Sequence, residues 1–165
     1  MGGGLTTWIL GIPANDLGNL SSMSPIPDVS EIKITMMIAA DSAQAVDGKL
    51  YVLGGGFNHL AVSEFPATHQ FDIAMMVDVP WTETNRPYEV VVEVVDADGQ
   101  PMGYRAEAVL ETGRPAGARP GSAFAVPLAV PVTAEFQAPG RYVLRGEVDG
   151  RESGRVVIEV VPTAP

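Results

Sequence analysis

A chain of 165 residues is the size of one domain with a short extension, and long enough to bury a core without covalent staples. It has no cysteine, which excludes disulfides, thiolate metal sites and a cysteine nucleophile. Twenty acidic against ten basic residues give a net charge of -10, which repels nucleic-acid phosphate and anionic membrane alike.

Residues 1–30 stand apart from the rest. Asp16 and Asp28 are their only charges, and Gly2, Gly3, Gly4, Pro13, Pro25 and Pro27 interrupt any long helix, leaving room for one turn over Asn15–Leu20. Yet Trp8, Ile9, Leu10, Ile12, Leu17 and Leu20 make the segment too apolar to remain solvated. It reads as an N-terminal arm that docks onto something. It lacks the basic region of a secretory signal, and nowhere does the chain approach the roughly 20 apolar residues of a membrane span. With the missing cysteines, this gives the expectation of a cytoplasmic protein.

From residue 31 the pattern turns to strands. Ile32–Ala40 is a near-continuous apolar run, the mark of a short strand buried on both faces. Asp47-Gly48 is a hairpin signal ahead of a strand over Lys49–Leu53. Gly54-Gly55-Gly56 ends that strand at a bulge or a close backbone approach. A short strand is expected over His59–Ser63 and a partly alternating one over Gln70–Val79, stopped by Pro80. Trp81–Arg86 is a crossover with room for one helical turn. Tyr88–Val95 alternates cleanly, with Glu89 and Glu93 on its wet face. Asp96–Gly99 is a turn, Tyr104–Leu110 a strand, and Glu111–Gly121 an exposed loop. Pro127 and Pro131 mark Ala123–Val132 as an edge or bulged strand. Gly140–Val148 and Arg155–Val161 form a terminal hairpin with a long Asp149–Gly154 loop. The spacing predicts an all-β domain over residues 31–162: an immunoglobulin-like antiparallel β-sandwich of about seven to nine strands.

Catalytic and metal-binding motifs are weak. Asp96-Ala97-Asp98-Gly99 looks like the start of a calcium loop, with Glu107 at the twelfth position, but its flanks are strands rather than helices. Asp and Gly are also the ordinary hairpin residues. Gly54–Gly56 lacks the Lys-Ser/Thr ending of a phosphate loop. His59 and His69 have no nucleophile-elbow serine and no metal-ligand spacing. Glu89, Glu93, Glu107 and Glu111 offer a carboxylate pair for glycoside hydrolysis, or simply the solvent faces of strands. No catalytic residue, cofactor or metal is assigned. Trp81, at a strand end, either caps the core or presents a contact platform.

The segment Met37–Phe57, and within it Asp47-Gly48-Lys49-Leu50-Tyr51-Val52-Leu53-Gly54-Gly55-Gly56, resembles a bacterial family of small immunoglobulin-like proteins, common in actinobacteria and known as a domain of unknown function. Val79-Pro80-Trp81, Val95–Gly99, Gly140-Arg141-Tyr142 and Val148-Asp149-Gly150 continue the resemblance over roughly Ile32 to Val161. It implies the fold and no reaction. The functional expectation is a non-catalytic binding or assembly module. It would contact a protein partner or a second copy through residues 5–27 and Trp81, with no nucleic acid or membrane as partner. A carbohydrate-active hydrolase and a calcium-dependent module are the alternatives.

Overall fold

A computed structural model describes residues 31–163, together with two short backbone segments ahead of them. Those segments, β1 (Trp8–Ile9) and β2 (Ile12–Pro13), pair antiparallel with each other. The rest is all-β. Its strands are β3 (Lys33–Ala40), β4 (Ser42–Val46), β5 (Lys49–Leu53), β6 (His59–Val62), β7 (Ala67–Pro80), β8 (Pro87–Val95), β9 (Pro101–Glu111), β10 (Ala123–Phe136), β11 (Gly140–Val148) and β12 (Arg151–Pro162). No described helix is long and apolar enough to cross a membrane.

Three strands form one sheet in the order β10-β7-β3, and five form another in the order β6-β12-β11-β8-β9. All pairings are antiparallel except β6 with β12, which run parallel. A separate hairpin joins β4 to β5. The ten strands from residue 33 onward exceed the expected seven to nine. The surplus includes β4, whose Ser-Ala-Gln-Ala-Val carries little strand signal of its own and forms because Asp47-Gly48 turns it back onto β5.

Period-two alternation builds the core. Tyr88, Val90, Val92 and Val94 of β8 point the same way as Leu110 of β9, Tyr142 and Leu144 of β11, and Ile158 and Val160 of β12. They meet Phe71, Ile73, Met75, Val77 and Val79 of β7 and Val132, Ala134 and Phe136 of β10 in one cluster between the two sheets. Each such side chain removed from water contributes about 1.5–3 kcal/mol, so this shared layer is what holds the sheets together.

The turns follow their chemistry. Asp47-Gly48 and Asp149-Gly150 both have two positive φ angles, 50° and 71° and then 47° and 73°, the type I′ geometry that Asp-Gly favours. The expected long loop after Asp149 is therefore replaced by a two-residue turn, and β12 starts at Arg151. The glycines counted toward a loop do other work. Gly146 pairs with Gly154, and Ser153 is then left over as a bulge. The bulge aims the Ser153 hydroxyl at β3, where it accepts a hydrogen bond from Ile34 N at 2.8 Å. The bare backbone at Gly146 and Gly154 makes room for Ile34 and Met37. A Cβ on Gly146 would lie 2.7 Å from Ile34 Cδ1 and 2.9 Å from Met37 Sδ.

β10 pairs with β7 alone and is the edge that its prolines require. It runs on to Phe136, four residues beyond the expected end, because Val132, Ala134 and Phe136 keep the inward alternation past Pro131.

Candidate docking surface

The outward faces of the two sheets differ in kind. On the five-stranded sheet the outward row is charged. Glu93 of β8 pairs across to Arg145 of β11 and Arg105 of β9. Arg145 bridges Glu93 (Nη2 to Oε2, 2.5 Å) and Glu147 (Nε to Oε1, 3.1 Å), and Arg105 reaches Glu107 at 2.8 Å. The hydrogen bond to Glu93 raises the Arg145 pKa. Beneath this charged layer Val91, on the outward parity, is only 1% exposed. Long charged side chains lie with their stems along apolar surface.

On the three-stranded sheet the middle of the outward face is apolar, between Lys33 and Asp78 at one end and Gln70, Thr68 and Glu135 at the other. Pro127, Met76 and Met36 align across the three strands, followed by Ala129, Ala74 and Ile38, and then by Pro131, Asp72 and Ala40. Apolar residues on the outside of a sheet need a cover. The β4–β5 hairpin supplies part of it, lying against β7 and β10. Ala43 N donates to Asp72 Oδ2 at 2.6 Å, and Ala43, Ala40 and Ala74 are buried. Gly55 sits where a Cβ would meet both Val52 of the hairpin and Ile38 of the sheet, so the two surfaces are continuous.

The cover is incomplete. Met36, Ile38, Met76, Pro127 and Ala129 remain half-buried. The hairpin adds apolar surface of its own: Leu53 is 71% exposed and Tyr51 55%, on the same hairpin face as Val46. This outward surface is apolar at its centre, where that of the five-stranded sheet carries the Arg105–Glu93–Arg145 row. The Ile32–Ala40 run signalled it, since apolar residues on both parities of β3 leave one set outside the core. The exposed side chains of β5 gave no such signal.

Of the docking residues expected from the sequence, Leu10, Leu17 and Leu20 lie outside the described residues. Trp8, Ile9 and Ile12 are described only through the β1–β2 backbone pairing, and the Asn15–Leu20 turn also lies outside. Trp81 is described. It opens a single 3-10 turn, Trp81–Glu83, in the crossover after β7. Its ring packs on Phe124 at 6.3 Å, and the Arg114 guanidinium stacks on it at 4.5 Å. Arg114 also donates to Thr84 Oγ1 at 2.8 Å and to the Trp81 carbonyl at 3.3 Å. Trp81 is thus half-buried at the end of the core, clamped by the β9–β10 loop.

The other candidates are dispersed. Glu89, Glu93, Glu107 and Glu111 all take the outward parity of the five-stranded sheet rather than meeting in a cleft. Asp96 Oδ1 accepts hydrogen bonds from Asp98 N and Gln100 N, closing a turn. Among the described residues no three His, Asp or Glu side chains gather as metal ligands. His59 is exposed beside Asn58, whereas His69 packs near Phe71.

A cleft of about 360 Å³ opens at the end of the sheets where β3 begins, lined by Glu31, Lys33, Glu83, Arg86, Tyr88 and Asp149 among others. Three of its charged groups, Glu83, Arg86 and Asp149, are paired with one another. Arg86 lies 3.3 Å from Glu83, 3.4 Å from Asp149, and 4.4 Å over the Tyr88 ring. The Tyr88 hydroxyl donates to Glu83. Burial, then the hydrogen bond and negative charge of Glu83, push that hydroxyl up to about 12. A phenol held neutral and already bonded to a carboxylate is a structural tie, not a poised acid or base.

No curated protein matches the chain. Among solved structures, a Pseudomonas fluorescens alkylpurine DNA glycosylase AlkC, bound to DNA containing an abasic site analog, matches at 14% identity with a TM-score of 0.38. That match covers 79% of this chain and 30% of the glycosylase chain, a likeness too low to carry an argument. The model of a family of unknown function, DUF6941, matches residues 35–161, the described strands almost from end to end and none of the arm. The chain belongs to that family.

Proposed function

We propose that the chain is a non-catalytic binding and assembly module of bacterial, cytoplasmic origin, acting through protein–protein contacts. Its scaffold is an immunoglobulin-like β-sandwich, and its N-terminal arm, residues 5–27, is the docking element. One observation carries this reading. The middle of the outward face of the three-stranded sheet is apolar where a solvent-facing sheet is polar, and the β4–β5 hairpin adds exposed Tyr51 and Leu53 to it. The four candidate glutamates lie along one open sheet face, so no specific observation favours a hydrolase.

The test is sedimentation across a concentration series, with the full chain set against a chain lacking residues 1–28. The described core starts at Ile34 and the family match at residue 35, so the shorter chain retains every core strand. The truncated chain is expected to fold, with an unchanged far-ultraviolet spectrum, and to associate more weakly. Identical association with and without the arm would overturn the proposal.

A further inference from the structure

The geometry points to one occupant for this surface: residues 5–27 of a second copy of the chain seat on the outward face of the three-stranded sheet and on the adjoining β4–β5 hairpin. This rests on the assembly reading above and names its partner.

The chemistry of the two surfaces matches. The centre of the face, Met36, Ile38, Met76 and Pro127, carries no charge. Residues 5–27 carry a single charge, Asp16, against Trp8, Ile9, Leu10, Ile12, Leu17 and Leu20. Apolar surface removed from water contributes about 25 cal/mol per Å², and the middle of the face has no charged group whose desolvation would cancel that gain.

Charge selects the same contact. A net charge of -10 makes two copies repel. The first 30 residues hold only Asp16 and Asp28, and the hairpin only Asp47 and Lys49, so acidic copies approach with least repulsion through these parts.

The backbone of β1 pairs with β2 and with no other described strand, and Leu53 keeps 71% of its surface exposed. A two-stranded pair of this size does not stand alone in water and needs a sheet to rest on.

Length and attachment allow exchange. The arm joins the domain at Glu31, immediately before β3, which borders the apolar face. Extended, 23 residues span up to about 80 Å, against about 26 Å for the eight residues of β3. Two copies with these faces opposed about a two-fold axis can each give an arm and receive one, which closes the assembly at a dimer.

The native chain has no cysteine, so single cysteines report cleanly. Full-length Leu10→Cys and Leu20→Cys chains are each mixed with a full-length Leu53→Cys chain and oxidised. The expected result is a disulfide heterodimer between arm and hairpin variants in excess over either homodimer, with at least one arm position. Chains carrying both cysteines are oxidised at high dilution in parallel. If these close intramolecularly while the mixtures give no heterodimer, the arm rests on its own domain and the inference is wrong. No cross-link in either arrangement is equally against it. Sedimentation of full-length Leu53→Ser separates the two levels of the argument. An exposed side chain can be truncated without harm to the fold, and its loss at a contact is expected to raise the dimer dissociation constant about tenfold. Weakened association without any arm–hairpin cross-link would discard this inference and keep the assembly reading; unchanged association would also discard this inference, and the arm deletion above decides the assembly reading.

Discussion

Gly146→Ala tests the account of how the two sheets approach each other. A Cβ there would stand 2.7 Å from Ile34 Cδ1 and 2.9 Å from Met37 Sδ, both closer than carbon atoms pack. Both are the far ends of side chains and can give way, but only into a core that is already filled. Overpacking of this kind costs about 1–3 kcal/mol, whereas replacing glycine inside a strand returns about 0.5–1 kcal/mol. The net expectation is a loss of about 1–2 kcal/mol in urea unfolding followed by tryptophan fluorescence. Ile34→Val removes the clashing Cδ1. Alone it should cost about 0.5–1.5 kcal/mol; in the Gly146→Ala background it should cost nothing or restore stability. The coupling in the double-mutant cycle is then at least about 0.5 kcal/mol in favour of the pair. Strictly additive effects would show that Gly146 and Ile34 do not compete for one space, and the inter-sheet reading would fail.

Three further outcomes are expected. Tyr88→Phe keeps the ring and removes the hydroxyl bonded to Glu83, at a cost of about 1–2 kcal/mol near neutral pH. The pKa of Tyr88 is raised to about 12 in the fold against 10.0 for a free tyrosine. Its contribution is therefore complete below pH 10.0 and lost as pH rises toward about 12, so the variant should show a shallower alkaline decline over that window. An equal slope in both proteins would refute the tie. Glu93→Ala leaves the half-buried Arg145 with Glu147 alone and should destabilise by about 1–3 kcal/mol; a change under about 0.5 kcal/mol, typical of a surface site, would mean the charged layer is not needed to seal Val91. Arg114→Ala removes the guanidinium stacked on Trp81, and the emission maximum of Trp81 should shift to the red as water replaces it. Measured in a Trp8→Phe background, an unmoved maximum would count against the clamp.

Much of the fold was legible because its signals are local. Alternation at Tyr88–Val95, the Asp47-Gly48 hairpin, the Pro80 stop and the proline-marked edge of β10 each depend on a few neighbouring residues. Features that depend on distant partners were not. The Gly146–Gly154 pairing looked like loop composition, because only the approach of Ile34 from β3 explains it. Val91 and Glu93 read as a wet face, because their burial depends on Arg145, 52 residues downstream of Glu93. The apolar outer surface was half-visible: the unbroken run of β3 stated that both of its faces avoid water, but which neighbour covers the second face is a matter of topology. Residues 1–30 gave the clearest compositional signal and the least structural one, since an apolar segment without strand periodicity says that it needs a surface and not which.

β8 is covered twice, by the core on one side and by the arginine–glutamate layer on the other, with β9 and β11 bonded to its two edges. From Val90 to Val95, where every residue is buried and β11 is paired, its amides have no local route to solvent. In hydrogen–deuterium exchange they should form the slowest-exchanging set and open only with the whole domain, so that their rate reads the global unfolding free energy directly. The β4–β5 hairpin, exposed on its outward side, belongs at the opposite end of that scale. A protected hairpin in the full chain would then mark the moment at which something has settled on it.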